Sequence, residues 1–266
     1  MRKTALLQGL LIGLVTASAG AAEIWTDIGG TIARFDSANP GVITNVGVTG
    51  ELPMDGMDFT SDGTLYGVAD QELFRINQTN GSVNYIGIAT LPPGQIFMDI
   101  SWDPVAHQMY AIDSSFPPML YQLNLNTGAA TTVGPLSIGL FPTLSAGLAT
   151  TAAGVRYVDD STNDKLFRLA GLTGTPLGPA GFDFTFFGGM TIDWSQDGTC
   201  YHAATGGTSS LAELWTIDLG TGAGTFGGII GAGFPLLSVA IKPVPEPSGV
   251  LILALLAIGA RCRRSA

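Results

Sequence analysis

A short apolar segment recurs five times along this chain of 266 residues, and this repetition constrains the fold more than any other feature. The second residues of the five copies are Met57, Met98, Leu148, Met190 and Val239. Successive copies are therefore 41, 50, 42 and 49 residues apart. Each copy is an apolar run with the two-residue period of a β-strand, and a spacing of this length suits a unit of four strands.

Two further segments recur at fixed offsets after the first. The second segment follows a turn such as Asp62-Gly63 or Asp197-Gly198, and Asp-Gly between apolar runs is a strong signal for a β-hairpin. The clearest copies of the third segment are residues 72–77, 119–124, 165–170 and 213–218. Its recurring aromatic residues, which we expect to pack between units, are Phe74, Tyr121, Phe167 and Trp215. A Gly-containing turn and a fourth apolar strand follow each copy, so every unit is a sheet of four antiparallel strands.

The repeat begins and ends inside a unit. The chain opens at Ile24-Trp25 with a second segment, and residues 237–242 supply a first segment with nothing after it. Pairing these two ends closes a ring and removes the free sheet edges that template aggregation. The sequence therefore predicts an all-β, five-bladed β-propeller over residues 23–242, closed by its C-terminal strand. A β-sandwich or an open β-solenoid also has short strands and Gly-rich turns, but neither accounts for the half-repeat at each end.

The N-terminal residues have the three-part composition of a secretory signal peptide. A basic start is followed by an apolar run over residues 5–15 and by small residues over 17–22. The apolar run is too short for a stable membrane span, which favours a cleaved signal peptide over an uncleaved anchor helix. We place the cleavage after Ala22, while cleavage after Ala19 or Ala21 also fits. The Sec translocon and a signal peptidase are therefore expected partners.

The C-terminal residues combine a proline-rich motif, an apolar run and a basic end. The motif is Pro245-Glu246-Pro247, the apolar run covers residues 249–260, and the arginines are Arg261, Arg263 and Arg264. A run of this length spans only part of a bilayer about 30 Å thick, and basic residues directly after it favour a cytoplasmic end. Residues 243–266 are thus expected to form a transmembrane sorting helix with its preceding linker.

This C-terminal arrangement resembles the PEP-CTERM sorting signal of exported proteins in Gram-negative bacteria that make exopolysaccharide. The resemblance covers only residues 244–266. It implies that an exosortase, a membrane-embedded transpeptidase-like enzyme, cuts near Pro245-Glu246-Pro247 and releases the body or passes it to the cell surface. The chain would then be anchored in the inner membrane only transiently. An ordinary C-terminal anchor after a proline-rich stalk is the alternative.

Charge is distributed unevenly along the chain. The net charge is −10, but five of the 11 basic residues lie at the two ends, while all 21 acidic residues lie between Glu23 and Glu246. Residues 23–247 therefore carry 6 basic and 21 acidic residues, a net charge of −15. Such a surface repels nucleic acid and anionic lipid, so no nucleic-acid partner is expected.

Four carboxylates lie near the ends of the predicted innermost strands. Asp58 and Asp99 take the same place in successive copies of the first segment, and Asp55 and Asp193 lie close to equivalent ends. Two carboxylates at a defined separation could hydrolyse a glycosidic bond, and several could hold Ca²⁺. The other copies have Ala149, Thr191 and Ala240 there, which favours ordinary strand-end caps.

The histidines and cysteines form no recognisable metal or cofactor motif. His107 lies in a predicted turn, and His202 lies two residues after Cys200, so these last two side chains share one face of a strand. Cys262, in the tail, is expected to lie in another compartment, so no disulfide with Cys200 is predicted. A nucleophilic thiol with His202 as its base is conceivable, but a buried cysteine is the simpler interpretation. We predict no cofactor, no metal and no complete catalytic constellation.

The sequence thus predicts an exported, non-enzymatic binding or extracellular-matrix protein, sorted to the surface by an exosortase and associated with extracellular polysaccharide. The alternative is an extracellular carbohydrate-active hydrolase or lyase that uses Asp55, Asp58, Asp99 or Asp193 at the propeller channel.

Overall fold

The computed structural model describes residues 21–50, 53–139, 147–184, 188–205, 211–231 and 238–244. Most of the predicted signal peptide and all of the sorting segment after Val244 lie outside these residues. Within them, twenty strands form five antiparallel sheets of four strands, and there is no helix. The predicted five-bladed β-propeller is therefore confirmed for the part of the chain that is described.

The strands are numbered in chain order and grouped by their distance from the propeller axis. The innermost strands are β4 (Gly56–Phe59), β8 (Phe97–Asp103), β12 (Leu148–Thr150), β16 (Gly188–Ile192) and β20 (Ser238–Ile241). The second strands are β1 (Glu23–Asp27), β5 (Leu65–Ala69), β9 (Gln108–Asp113), β13 (Arg156–Asp160) and β17 (Cys200–Thr205). The third strands are β2 (Thr31–Asp36), β6 (Glu72–Ile76), β10 (Met119–Leu123), β14 (Lys165–Ala170) and β18 (Ala212–Ile217). The outermost strands are β3 (Asn39–Val48), β7 (Val83–Ile88), β11 (Ala130–Pro135), β15 (Thr173–Pro179) and β19 (Gly224–Ile229).

Blade 1 contains both ends of the repeat. Its strand order is β20-β1-β2-β3, and blades 2 to 5 follow as β4–β7, β8–β11, β12–β15 and β16–β19. β20 pairs with β1 so that Ile24 lies opposite Ile241, and the Thr26 hydroxyl donates to the carbonyl of Ser238 at 2.8 Å. β4 contacts β8, and the contacts continue through β12, β16 and β20 back to β4. The ring is closed by the C-terminal strand, as the two half-repeats predicted.

The hydrophobic core consists of five clusters, each between two neighbouring blades. Between blades 1 and 2, for example, the rings of Trp25 and Phe59 meet edge to face with centroids 6.0 Å apart. Successive side chains of an innermost strand point to opposite sides, so Met98 packs toward blade 4 while Phe97 packs toward blade 2. Every blade therefore buries both faces of its sheet.

At the outermost strands, glycine residues allow the backbones of neighbouring blades to approach each other closely. In β7, a side-chain Cβ at Gly87 would lie only 2.0 Å from the carbonyl oxygen of Thr127, in the β10–β11 turn of the next blade. A Cβ at Gly47 of β3 would likewise lie only 1.8 Å from the carbonyl oxygen of Asn80. Gly178 of β15 donates its N–H to the Thr221 carbonyl at 2.7 Å. The recurring glycine at this place is required because only a residue without Cβ permits this backbone approach.

The antiparallel order gives the propeller two distinct faces. The turns that join innermost to second strands lie on one face, which we call the turn face: residues 60–64, 104–107, 151–155 and 193–199. The connections from each outermost strand to the next innermost strand lie on the opposite face, called the loop face.

Candidate functional site: axial carboxylates and an aromatic patch

Asp58 and Asp99 are buried at the axis, where each bridges two innermost strands. The Asp58 carboxylate accepts hydrogen bonds from the N–H groups of Phe59, at 2.8 Å, and of Trp102 in the next blade, at 2.7 Å. The Asp99 carboxylate accepts from Ile100 and from Leu148 in the next blade, both at 2.8 Å. Innermost strands have no strand partner toward the axis, so these carboxylates satisfy N–H groups that would otherwise be unpaired.

The expectation that Asp58 and Asp99 occupy equivalent places was wrong. Asp58 lies opposite Tyr66, and the residue in the same relation to Tyr110 of blade 3 is Ser101. A β-bulge between Phe97 and Asp99 shifts the register of β8, and sequence spacing cannot reveal such a bulge.

A belt of polar side chains crosses the axis at the height of Asp58. The Ser101 hydroxyl donates to the Thr150 hydroxyl at 2.9 Å, and Ser101 also contacts the Asp58 carboxylate. Thr191 takes the corresponding place in blade 5 and is also buried. Asp58 and these polar side chains are all buried, so the carboxyl group of Asp58 is enclosed by protein.

Burial raises the pKa of both axial carboxyl groups. The pKa of Asp58 rises to about 7 because the group is removed from water, although the hydrogen bonds from Trp102 and Phe59 act against this shift. Burial raises the pKa of Asp99 well above its usual value, and the nearby charges of Asp58 and Asp159 add to the effect. Both groups therefore hold a proton more tightly in the folded chain than in the unfolded chain.

Raised carboxyl pKa values predict that the folded propeller is more stable at mildly acidic pH. The unfolded chain releases the Asp58 proton near pH 3.8, whereas the folded chain keeps it until about pH 7, so stability falls as the pH rises between these values. We expect the Tm to increase by several degrees when the pH is lowered from about 8 to about 5. Asp58→Asn should reduce this dependence but not abolish it, because the pKa of Asp99 stays raised. Asp62→Asn, at an exposed turn, should leave the dependence unchanged. A Tm that is constant over this range in the wild type would contradict the prediction.

The remaining two predicted site residues lie at opposite ends of the ring. Asp55 lies on the loop face, where its carboxylate accepts the N–H of Asp70 at 2.7 Å, and burial raises its pKa to about 6. Asp193 lies on the turn face, where it accepts from the Ser195 hydroxyl and the Gln196 amide, both at 3.0 Å. Burial raises the pKa of Asp193 as well. The structure thus brings Asp58 near Asp99 but places Asp55 and Asp193 apart from each other.

A buried histidine–aspartate pair links blades 4 and 5, and sequence reasoning missed it. His202 Nε2 lies 3.0 Å from Asp159 Oδ2, both side chains are fully buried, and Asp159 Oδ1 also accepts the N–H of Gly147 at 2.9 Å. Nothing in the described ranges hydrogen-bonds to His202 Nδ1. The pair joins residues 43 positions apart, so local sequence gives no signal for it.

Cys200 packs in the hydrophobic cluster between blades 4 and 5. Its thiol is buried, and burial together with the Asp159 charge raises its pKa strongly. His202 directs its Nε2 to Asp159, so the structure gives no support to a Cys200–His202 nucleophilic pair. Among the described residues, no three histidine, cysteine, aspartate or glutamate side chains could together hold a metal ion.

Trp194 crosses the turn-face end of the axis. It follows β16 in blade 5, yet it packs against the apolar cluster between blades 2 and 3, which contains Trp102. Trp102 is itself fixed by a hydrogen bond from its indole N–H to the Ser61 hydroxyl at 2.8 Å. The two indoles therefore restrict access to the axial carboxylates from the turn face.

Blade 5 departs from the repeat because the aromatic residue of its third strand is only partly buried and belongs to a partly exposed aromatic patch. Phe74, Tyr121 and Phe167 are buried between blades as expected, but Trp215 is only partly buried, so that expectation was wrong for blade 5. The reason lies in β17, because Trp215 is opposite the bulky His202, whereas the corresponding partners in blades 2 to 4 are Gly67, Ala111 and Val158.

Two phenylalanines complete the aromatic patch. The Phe182 ring stacks on the Trp215 ring with centroids 4.3 Å apart and an interplanar angle of 5°. Phe226 meets Trp215 edge to face at 5.3 Å and is 51% exposed. The indole N–H of Trp215 donates to the Glu213 carboxylate at 3.1 Å, so apolar rings and a hydrogen-bond acceptor lie side by side.

Comparison with known proteins identifies the fold and no more. No protein-family model matches the sequence, and no curated protein matches it. Among solved structures, TolB from Acinetobacter baumannii has a TM-score of 0.51 and 14% identity, with 84% of this chain and 67% of that chain covered. A protein of unknown function from Bacteroides thetaiotaomicron has a TM-score of 0.52 and 16% identity, covering 86% of this chain and 62% of that one.

A third similar structure is a symmetrical protein whose de novo evolutionary emergence is shaped by folding constraints. Its TM-score is 0.53 at 15% identity, with 85% of this chain and all of that chain covered. At these identities the likeness concerns the propeller architecture alone. Over the described ranges, no helix has the length and apolar character needed to cross a membrane.

Proposed function

We propose that this chain is an exported, non-enzymatic binding protein of the extracellular matrix, sorted to the cell surface by an exosortase. The observation that carries the proposal is the tail: Pro245-Glu246-Pro247, the apolar run over 249–260, and Arg261, Arg263 and Arg264. The signal peptide at the other end supplies the export that such a tail requires. The chain is anchored transiently in the inner membrane and then reaches the surface or the medium.

The contacts of the axial carboxylates argue against a catalytic role for these two groups. Both oxygens of Asp58 and of Asp99 accept backbone hydrogen bonds, and both side chains are buried. A glycoside hydrolase needs two carboxyl groups that flank an open cleft and reach the scissile bond. Asp58 and Asp99 instead hold neighbouring strands together.

The aromatic patch is the surface that we assign to polysaccharide. Phe226 presents a half-exposed ring, against which the C–H face of a sugar can pack. The partly exposed rings of Trp215 and Phe182, which stack on each other, lie beside it, and Glu213 can accept sugar hydroxyls. The net charge of −15 over residues 23–247 disfavours anionic polymers, so the expected ligand is a neutral or amino-sugar polysaccharide.

Truncation of Phe226 should weaken binding to this polysaccharide. We expect Phe226→Ala to raise the Kd for cellohexaose or chitosan oligomers roughly tenfold, because about 1.4 kcal/mol of ring contact is lost. Tyr85→Ala is the matched control, since Tyr85 takes the same place in blade 2, packs edge to face on Phe74 and is 52% exposed. Isothermal titration calorimetry would measure the Kd of both variants. Equal losses in the two variants would contradict the assignment.

A carbohydrate-active hydrolase or lyase is the second candidate. The observation in its favour is that the pKa values of Asp55 and Asp58 rise to about 6 and 7, a range that suits a general acid. This candidate requires that the chain release reducing ends or unsaturated sugars from a polysaccharide. Asp55→Asn, Asp58→Asn, Asp99→Asn or Asp193→Asn would then abolish the release.

The contacts of Ala22 bear on the site of signal-peptide cleavage. Ala22 is buried, donates its N–H to the Ser37 hydroxyl at 2.9 Å and accepts the Ser37 N–H at 2.9 Å. Cleavage after Ala19 or Ala21 preserves these bonds in the mature chain. Among the three sites compatible with the sequence, we therefore favour these two.

Transplanting the tail tests the sorting proposal. Residues 243–266 fused to an unrelated exported domain should cause that domain to be cut near its C-terminus in an exosortase-positive strain and to stay membrane-bound in a strain without the enzyme. Replacement of Pro245-Glu246-Pro247 by Ala-Gln-Ala is the control and should block the cut. A fusion that remains uncut in both strains would argue for an ordinary anchor.

A further inference from the structure

Both ends of the propeller leave from the turn face. The N–H of Lys242 donates to the carbonyl of Glu23 at 3.1 Å, directly after the pairing of β20 with β1. Two residues later, the N–H of Val244 donates to the Ser195 hydroxyl at 3.0 Å, and Ser195 belongs to the β16–β17 turn. The chain is therefore attached to the turn face up to the residue before Pro245.

The linker between this attachment and the predicted apolar run is very short. From Val244 to Gly249 there are five residue steps, and a fully extended chain covers at most about 3.6 Å per step, or about 18 Å in total. The two faces are separated by roughly the length of one strand. A strand of five residues such as β5 is about 17 Å long. The loop face therefore lies about one strand length further from the apolar run than the turn face does.

Two exposed carboxylates lie in turns of the turn face. Asp62 lies in the β4–β5 turn, where the Thr60 hydroxyl and the Thr64 N–H donate to its carboxylate and lower its pKa. Asp197 lies exposed in the β16–β17 turn. Lys242, which directly follows β20, forms an ion pair with Glu23 at 3.6 Å. Such a face is repelled by anionic headgroups over roughly a Debye length, about 8 Å at physiological salt.

We propose that, while the chain keeps its tail, the turn face is the surface that faces the bilayer, held within about 18 Å of it by a short linker and kept from settling onto anionic lipid by its carboxylates. The loop face then points away from the membrane. This inference rests on the proposed sorting tail, because it requires residues 249–260 to lie in the bilayer.

Energy transfer from a single fluorophore to labelled lipid headgroups tests this orientation. The uncut chain carries Cys262→Ser, while Cys200 stays in place because it is buried and does not label. Ala153→Cys places the fluorophore on an exposed position of the turn face, and Pro93→Cys places it on an exposed position of the loop face. Both proteins are reconstituted into vesicles, and their co-sedimentation with the vesicles is measured first.

We expect transfer from position 153 to be several-fold more efficient than from position 93. In vesicles that contain anionic lipid, transfer from position 153 should rise with added salt, whereas in zwitterionic vesicles it should not change. A flexible Gly-Ser insertion of about eight residues between Val244 and Pro245 should reduce the difference between the two positions.

The outcomes separate the two proposals. Equal or reversed transfer from the two positions in vesicle-bound protein would overturn the orientation and leave the sorting tail intact. A chain that does not sediment with vesicles at all would overturn both the membrane-anchored tail and the orientation that depends on it.

Discussion

A chain that ends before Ser238 is expected to lose cooperative folding, because β20 is the innermost strand of blade 1. Val239, Ala240 and Ile241 are buried, and β20 contacts β1, β4 and β16 at once. Its removal opens the ring and exposes two apolar clusters. A loss of more than about 5 kcal/mol is comparable with the whole stability of an ordinary domain.

Circular dichroism melting of two truncated chains measures this effect. Residues 22–237 should show no sharp thermal transition, whereas residues 22–244, which keep β20 and the hydrogen bond from Val244 to Ser195, should melt cooperatively. A cooperative transition of similar Tm in both chains would show that ring closure contributes little.

Gly87→Ala should destabilise the propeller by about 3 kcal/mol, the upper end of ordinary overpacking. The new methyl group would lie 2.0 Å from the backbone oxygen of Thr127, and backbone cannot move aside as a side chain can. For a domain of this size, such a loss lowers the Tm by roughly 6 to 12 °C.

Gly41→Ala is the matched control for this substitution. Gly41 also lies in an outermost strand, but its nearest neighbour would be 3.8 Å from the new Cβ, an ordinary contact. The Tm of the Gly41→Ala variant should differ from that of the wild type by no more than about 2 °C. Equal melting temperatures for Gly87→Ala and Gly41→Ala would show that the close approach of Gly87 to the Thr127 backbone does not require a glycine.

The strands and their order were predictable because each is encoded by local features that recur. An Asp-Gly turn such as Asp62-Gly63 and the two-residue apolar period define a hairpin within a few residues, and five copies reinforce one another. The incomplete units at Ile24 and at Val239 even predicted how the ring closes. Repetition thus supplied the long-range pairing that a single strand pattern lacks.

The candidate sites were less predictable because they depend on contacts between blades. The bulge before Asp99 changes which side chains of neighbouring innermost strands lie at the same level along the propeller axis. The spacing of apolar residues in the sequence gives no sign of this bulge. The His202–Asp159 pair and the partial exposure of Trp215 arise together, from one bulky residue in β17. Such effects depend on the volume of side chains that are distant in sequence.

The structure also changes how the acidic residues should be interpreted. The sequence offers Asp58 and Asp99 as catalytic candidates, yet each accepts hydrogen bonds from two backbone N–H groups at the unpaired edges of innermost strands. Their raised pKa values follow from burial in a structural role, and a perturbed pKa alone therefore does not identify an active site. The exposed ring of Phe226 in blade 5 is better placed to meet a ligand.

The intact mass of the protein from an exosortase-positive strain and from an exosortase-deleted strain tests the central proposal most directly. Our account predicts a released species in the first strain that lacks both the N-terminal segment and the residues after about Pro247, and a membrane-bound chain with its complete tail in the second. The mass would also decide whether Ala22 is retained. A chain that keeps its tail in both strains would contradict sorting by an exosortase and leave an ordinary anchored propeller.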